Sequence, residues 1–129
     1  MSKFIFMLLL LLAVSSHAMA EWVIVHGNET STTYADTATK RRVGNKVEIL
    51  LIDDYKTTQH SKRGTPYISR KVQSEYDCTT KQSRFLYTTA YSGQMGSGAG
   101  AFYDPVPSPW GSVPSGSIGE LEWKFACGR

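Results

Sequence analysis

The chain holds only two cysteines, Cys78 and Cys127, and only two histidines beyond its first twenty residues, His26 and His60. With no CxxC pair, a structural zinc site of the usual spacing is excluded. A triad hydrolase needs a nucleophile, a histidine base and a carboxylate that orients it. Both histidines fall in polar stretches with no such company nearby, so the sequence predicts neither an enzyme nor a cofactor. One-signed charge is also scarce: 14 lysines and arginines against 11 acidic residues leave a net +3. That excess is too mild to argue for a nucleic-acid partner. Past Val14 there is no long apolar run, which argues against stable membrane insertion.

What is present begins with a leader. Lys3 supplies a positive start, Phe4 to Val14 is an apolar run of eleven residues, and Ala18-Met19-Ala20 is a small-x-small cleavage site. This is the pattern of a cleaved secretory signal peptide over residues 1–20, because the run falls well short of the roughly 20 residues a bilayer span needs. No cysteine adjoins the cleavage site, so no lipid attachment is expected. Residues 21–129 then form a single domain at a charge of +2, Lys3 having been removed. Export places Cys78 and Cys127 in an oxidising compartment, and two cysteines there are expected to pair.

The domain reads mostly as strands. Trp22-Val23-Ile24-Val25 is apolar and β-branched, and Thr32 to Asp36 is a second short strand. Thr37 to Arg42 reads as a polar connector, and Gly44-Asn45 as a turn. From Lys46 to Tyr55, Val47, Ile49 and Leu51 alternate on one side while Leu50 and Ile52 make the other side apolar too. A strand apolar on both faces is central or covered. Asp53-Asp54 reads as its solvated end, in preference to a site for a hard cation, so no metal is assigned. Lys56 to Pro66 reads as a loop.

Tyr67 to Ser92 forms a long hairpin. A four-residue turn over Thr79 to Gln82 sets Cys78 opposite Ser83, Asp77 opposite Arg84 and Tyr76 opposite Phe85. In that register Val72, Tyr76, Cys78, Phe85, Tyr87 and Tyr91 share the face to be buried under the C-terminal segment, and Asp77 pairs with Arg84 on the other.

Composition changes past Ser92. Four glycines lie between Gly93 and Gly100 and four prolines between Asp104 and Gly116, which predicts an irregular segment. The glycines do not make a phosphate loop, because no lysine with a following serine or threonine closes the run. Irregular segments this long are usually functional or mobile. Met95, Tyr103 and Trp110 are its candidate binding residues, Met95 as an apolar contact set between glycines and the other two because tyrosine and tryptophan dominate binding hot spots. They also have an alternative fate as a lid over the core. From Ser117 onward two periods compete. Leu121, Trp123, Phe125 and Cys127 alternate as in a strand, whereas Ser117 with Glu120 is a capping box, Ile118, Leu121 and Phe125 lie at helical spacing, and Gly128 is a helix stop.

Several motifs together carry a resemblance: Trp22-Val23, Asp54-Tyr55, Tyr76-Asp77-Cys78, Tyr91-Ser92-Gly93-Gln94-Met95-Gly96, Pro114 to Glu120, and Trp123-Lys124-Phe125-Ala126-Cys127. The chain resembles the surface-adhesin protein E family of Gram-negative bacteria over nearly all of residues 21–129. The resemblance implies an α+β fold: a single antiparallel sheet of about five to six strands, with a C-terminal helix tied to one face by Cys78 and Cys127. It implies a non-enzymatic module that binds a protein partner, either host extracellular matrix or an envelope component, and is compatible with a homodimer. The alternative is a periplasmic structural or accessory envelope protein. The adhesin for which the family is named is a lipoprotein, and this chain lacks that cysteine, so periplasm and outer surface both stay open as locations.

Overall fold

The computed structural model describes residues 21–129; the leader predicted over residues 1–20 lies outside them. Strands β1 (Trp22–Gly27), β2 (Ser31–Val43), β3 (Lys46–His60), β4 (Pro66–Asp77), β5 (Gln82–Tyr91) and β6 (Gly100–Asp104) follow one another across one antiparallel sheet. A two-residue strand β7 (Gly111–Ser112) pairs with the start of β5, and helix α1 (Ile118–Cys127) closes the chain. From β2 to β6 each strand pairs with its predecessor, so short connections suffice. Between β2 and β3 the turn is Gly44-Asn45, with Gly44 in the left-handed region that a two-residue hairpin asks of its first residue.

Residues paired across antiparallel strands share a face. Val23, Ala35, Leu51 and Val72 form one row, and Val47 and Tyr76 lie beside it on the same face. Helix α1 covers this face. Ala35, Val47, Ile49, Leu51, Tyr76 and Cys78 pack there with Val113, Trp123, Ala126 and Cys127. Cys78 and Cys127 are disulfide-bonded with their Cα atoms 5.7 Å apart.

The contest over the last segment is decided by its ends. The Ser117 hydroxyl accepts from the Glu120 N–H at 3.1 Å, and Gly128 ends the helix in the left-handed conformation. Trp123, Ala126 and Cys127 turn inward at helical spacing, while Ile118 and Leu121, expected on the apolar helix face with Phe125, are half-exposed. The Trp123 indole N–H donates to the carbonyl of Asp77 at 2.9 Å.

Several expectations about the sheet need correction. The connector over Thr37 to Arg42 is the second half of β2, and Lys56 to His60 belongs to β3 rather than to a loop. Both stretches are polar because they are pairing extensions with little covering them. Asp53 is mid-strand rather than a solvated end. Its carboxylate accepts from Arg70 Nε at 2.8 Å and from the Thr33 hydroxyl at 2.7 Å.

The β4–β5 register is shifted from the expected one by two residues at the turn and by one beyond Leu86. The loop is Cys78 to Lys81, Asp77 faces Gln82, and Arg84 faces Glu75. Asp77 Oδ1 accepts the N–H groups of Thr79 and Thr80, a local turn that starts one residue early, and Lys81 takes a positive φ to close it. Arg84 therefore bonds Glu75 Oε1 at 2.7 Å, not Asp77. Leu86 then has no partner, a bulge that turns Tyr87 and Tyr91 onto the face away from the helix. Phe85 stays on the Tyr76 face but lies beyond the helix, 48% exposed.

Candidate functional site

The face away from α1 is where the glycine- and proline-rich segment settles. That segment is less irregular than its composition suggests. It contains a tight turn at Gln94–Gly96, in which Met95 and Gly96 both take positive φ, then β6 and β7. The turn is pinned from below. The Met95 N–H donates to Asp54 Oδ1 at 2.9 Å, the Gly96 N–H donates to Ser69 Oγ at 2.9 Å, and the Ser69 hydroxyl donates to the Gly93 carbonyl. Glycine is required at position 96 twice over. Its φ is +72°, and a Cβ there would stand 2.6 Å from Lys71 Cε and 3.2 Å from Ile52 Cδ1. This contact buries Ile52 completely, which explains why β3 is apolar on both sides: the helix covers one and the turn the other.

Past the turn, β6 lies along the upper half of β5. Tyr103 falls in a row with Thr89, Lys71, Ile52 and Tyr34. The chain then descends the same edge, where the Ser108 N–H donates to the Phe85 carbonyl at 2.8 Å and Ser108 Oγ accepts from the Phe85 N–H at 2.9 Å. Trp110 comes to rest over Arg84 and Lys46, with Arg84 Cζ at 4.8 Å and Lys46 Nζ at 5.4 Å from the ring centre. Only Val113 turns into the core beneath the helix.

Of the three candidate residues, Tyr103 is the most open, 63% exposed. Met95 is 37% exposed in its turn, and Trp110 is half-buried against the two cations. The segment therefore places all three over one face of the sheet. Sequence reasoning assigned Tyr87 and Tyr91 to the opposite side, yet they join this group. Tyr87 approaches Tyr103 at 6.5 Å between ring centres, and Tyr91 receives Lys71 Nζ at 5.5 Å. The result is an open face of phenol rings, an indole and cationic side chains. Such groups stack on flat or apolar groups, hydrogen-bond at the hydroxyl tips, and attract carboxylates.

The buried face holds the structure together electrostatically as well. Glu122 on the helix lies between His26 Nε2 at 3.1 Å and the Tyr76 hydroxyl at 3.4 Å, and burial pushes its carboxyl above the usual range. Glu120 is the opposite case. Hydrogen bonds from Lys81 and from the Gly116 N–H pull it down to about 2.

The two carboxyls titrate with opposite sign. Glu120 contributes stability above its ordinary 4.5 that is lost as pH falls through about 2. Glu122 contributes stability below its ordinary 4.5 that is lost as pH rises through its raised value. Glu122→Gln should therefore gain on the unsubstituted protein as pH rises from 4.5 toward 7, measured by urea unfolding at a series of pH values. A stability difference that is flat over that range contradicts the assignment.

The fold and this site define a class: a one-sheet α+β protein whose disulfide-tied helix covers one face and leaves an aromatic face open. The chain belongs to the surface-adhesin protein E family, whose model matches residues 22–128. Among solved structures it is similar to crystal form II of Haemophilus influenzae protein E, at 10% identity and a TM-score of 0.63, over 86% of this chain and 97% of that one. It is likewise similar to protein E from non-typeable Haemophilus influenzae, at 11% identity and a TM-score of 0.64, over 88% and 79%. At such identities the likeness is one of fold. Among curated proteins none matches the sequence. No helix among the described residues is long and apolar enough to cross a membrane.

Proposed function

We propose that residues 21–129 form an exported, non-enzymatic binding module, released from the leader at residues 1–20, which holds a protein partner on the open face of its sheet. The partner is a host extracellular protein or a component of the bacterial envelope. Met95, Tyr103 and Trp110 contact it, joined by Tyr87.

The observation that carries this reading is the pairing of exposure with rigidity. Tyr103 and Tyr87 are open to solvent, while the segment that brings Tyr103 and Trp110 to this face is pinned to β3, β4 and β5 by side-chain and backbone hydrogen bonds. Aromatic groups ordered in advance lose little freedom on binding, and tyrosine, tryptophan and arginine are the residues that dominate hot spots. Family membership favours adhesion as the use of such a face.

The test is saturable binding of the purified domain to immobilised host extracellular matrix and, separately, to an outer-membrane fraction of the native host. Saturable binding to either is expected, and binding to neither overturns the proposal. Protease shaving of intact cells then places the module: digestion identifies a surface adhesin, and protection an envelope partner within the periplasm.

A further inference from the structure

Beyond the open face there is a second recess that the binding reading does not use. Strands β3 and β4 outrun the rest of the sheet. After a register shift past Asp54 they resume with Gln59 opposite Tyr67 and His60 opposite Pro66, whereas β5 pairs with β4 only as far as Tyr91 opposite Ser69. Between this overhanging hairpin and β6 lies a cleft of about 430 Å³ lined by His60, Lys62, Arg63, Tyr67, Phe102 and Asp104. Its size is in the range of clefts that hold small ligands or single side chains.

The floor is preformed. Tyr67 meets Phe102 edge-on at 5.3 Å and Tyr55 edge-on at 5.9 Å, an aromatic stack that leads down to the Asp53–Arg70 pair. The rim is cationic, and the hairpin tip is internally bonded. The Ser61 N–H donates to the Thr65 carbonyl, the Gly64 N–H to the Ser61 carbonyl, and the Thr65 N–H to Ser61 Oγ. Among the described residues neither Lys62 nor Arg63 has a carboxylate within 4.0 Å; the ion pairs lie elsewhere. Asp104, on the opposite wall, accepts the Val106 N–H at 3.0 Å and adds one negative charge to the cleft. It disfavours a polyacidic ligand but leaves room for a single carboxylate across from it.

The other wall of the cleft is a sheet edge. The strand order ends at β6, whose outer side has no partner strand among the described residues. An unpaired edge is a template for an added strand, with backbone hydrogen bonds giving affinity and alternate side chains giving specificity. Direction matters here. Gly100 lies opposite Tyr91 at the hairpin end of β6, so a strand added antiparallel to β6 would point its C-terminus toward Lys62 and Arg63. No residue of β1, the opposite sheet edge, lines this cleft.

We propose that this cleft is a receptor for a peptide C-terminus. The peptide adds antiparallel to β6, its last apolar side chain rests on Tyr67 and Phe102, and its terminal carboxylate is held by Lys62 and Arg63. The site is separate from the open face and does not depend on it.

The test uses the exported chain, immobilised, and a random octapeptide pool made in two forms, free acid and C-terminal amide. Free-acid peptides ending in an apolar or aromatic residue are expected to be retained, and the amide pool is not. The best retained peptide, measured by fluorescence anisotropy, should weaken about tenfold or more on amidation and similarly with Lys62→Ala/Arg63→Ala, the scale of losing a charge-assisted hydrogen bond. Both lysine and arginine are exposed, so the fold should survive their loss. Binding should slow backbone hydrogen exchange over residues 100–104 and persist in Trp110→Ala. Equal retention of both pools, no retention of either, or a Lys62→Ala/Arg63→Ala variant that binds as before overturns the proposal.

Discussion

Removing the Cys78–Cys127 bond, by reduction or by a double substitution to alanine, should lower stability by about 4 kcal/mol, the chain-entropy figure for a closure of this length. The two cysteines are 49 positions apart, and the loop they close spans β5, β6, β7 and the helix. What the bond holds makes the effect large. Helix α1 has ten residues, too few to persist alone in water, and it reaches the sheet through a proline- and glycine-rich approach. Once untied, the helix is held by its packed residues Trp123, Ala126 and Phe125, by the Glu122 contacts, by the Trp123 bond to the Asp77 carbonyl and by the Lys81–Glu120 pair. For a domain whose whole stability is about 5 to 15 kcal/mol, the loss is a large share. Urea unfolding with and without reductant measures it, and a change below about 1 kcal/mol, the ordinary surface scale, contradicts it.

The second large effect is at Tyr76. Its side chain is 2% exposed at the centre of the helix-covered face, opposite Val47, and its hydroxyl bonds Glu122. Tyr76→Ala should cost about 3 to 5 kcal/mol, as large aromatic truncations in cores do. Part of that loss is polar, because the largely covered Glu122 carboxyl loses a donor and keeps His26. Tyr76→Phe separates the two contributions and should cost about 0.5 to 1.5 kcal/mol, the net worth of one hydrogen bond. Phe85→Ala is the contrasting case. It sits on the same face but outside the helix, half exposed, and should cost less than about 1 kcal/mol. Equal losses at positions 76 and 85 would mean that the helix does not define the core.

The contrast between Tyr76 and Phe85 also marks how far the sequence could be read. Alternation found β3 and its two apolar sides, and export with a cysteine pair pointed to the disulfide, because burial and redox chemistry leave local traces. The helix was legible only through its ends, Ser117 and Gly128, since the residues between them satisfy two periods equally. The hairpin register was misread because Asp77 captures the N–H groups of Thr79 and Thr80 and starts the turn early. An aspartate directly before the turn was the available signal. The Leu86 bulge that moves Tyr87 and Tyr91 across the sheet had no such signal. Its position answers to pairing with β4 and β6, which no local pattern encodes. For the same reason Met95, Tyr103 and Trp110 could be picked out by composition, but not the face on which they gather, nor the cations beneath Trp110.

Binding by the open face is tested most directly by one paired measurement on Tyr103→Ala/Trp110→Ala: attachment to the matrix or envelope fraction that the unsubstituted protein binds, and urea unfolding of the same preparation. If the open face binds, attachment falls about tenfold or more, as for loss of a hot spot. Stability should fall by no more than about 1 to 2 kcal/mol, the scale of half-exposed aromatic and cation–π contacts. Attachment that survives in a stable variant, or a variant that unfolds, would show instead that these side chains only close the sheet.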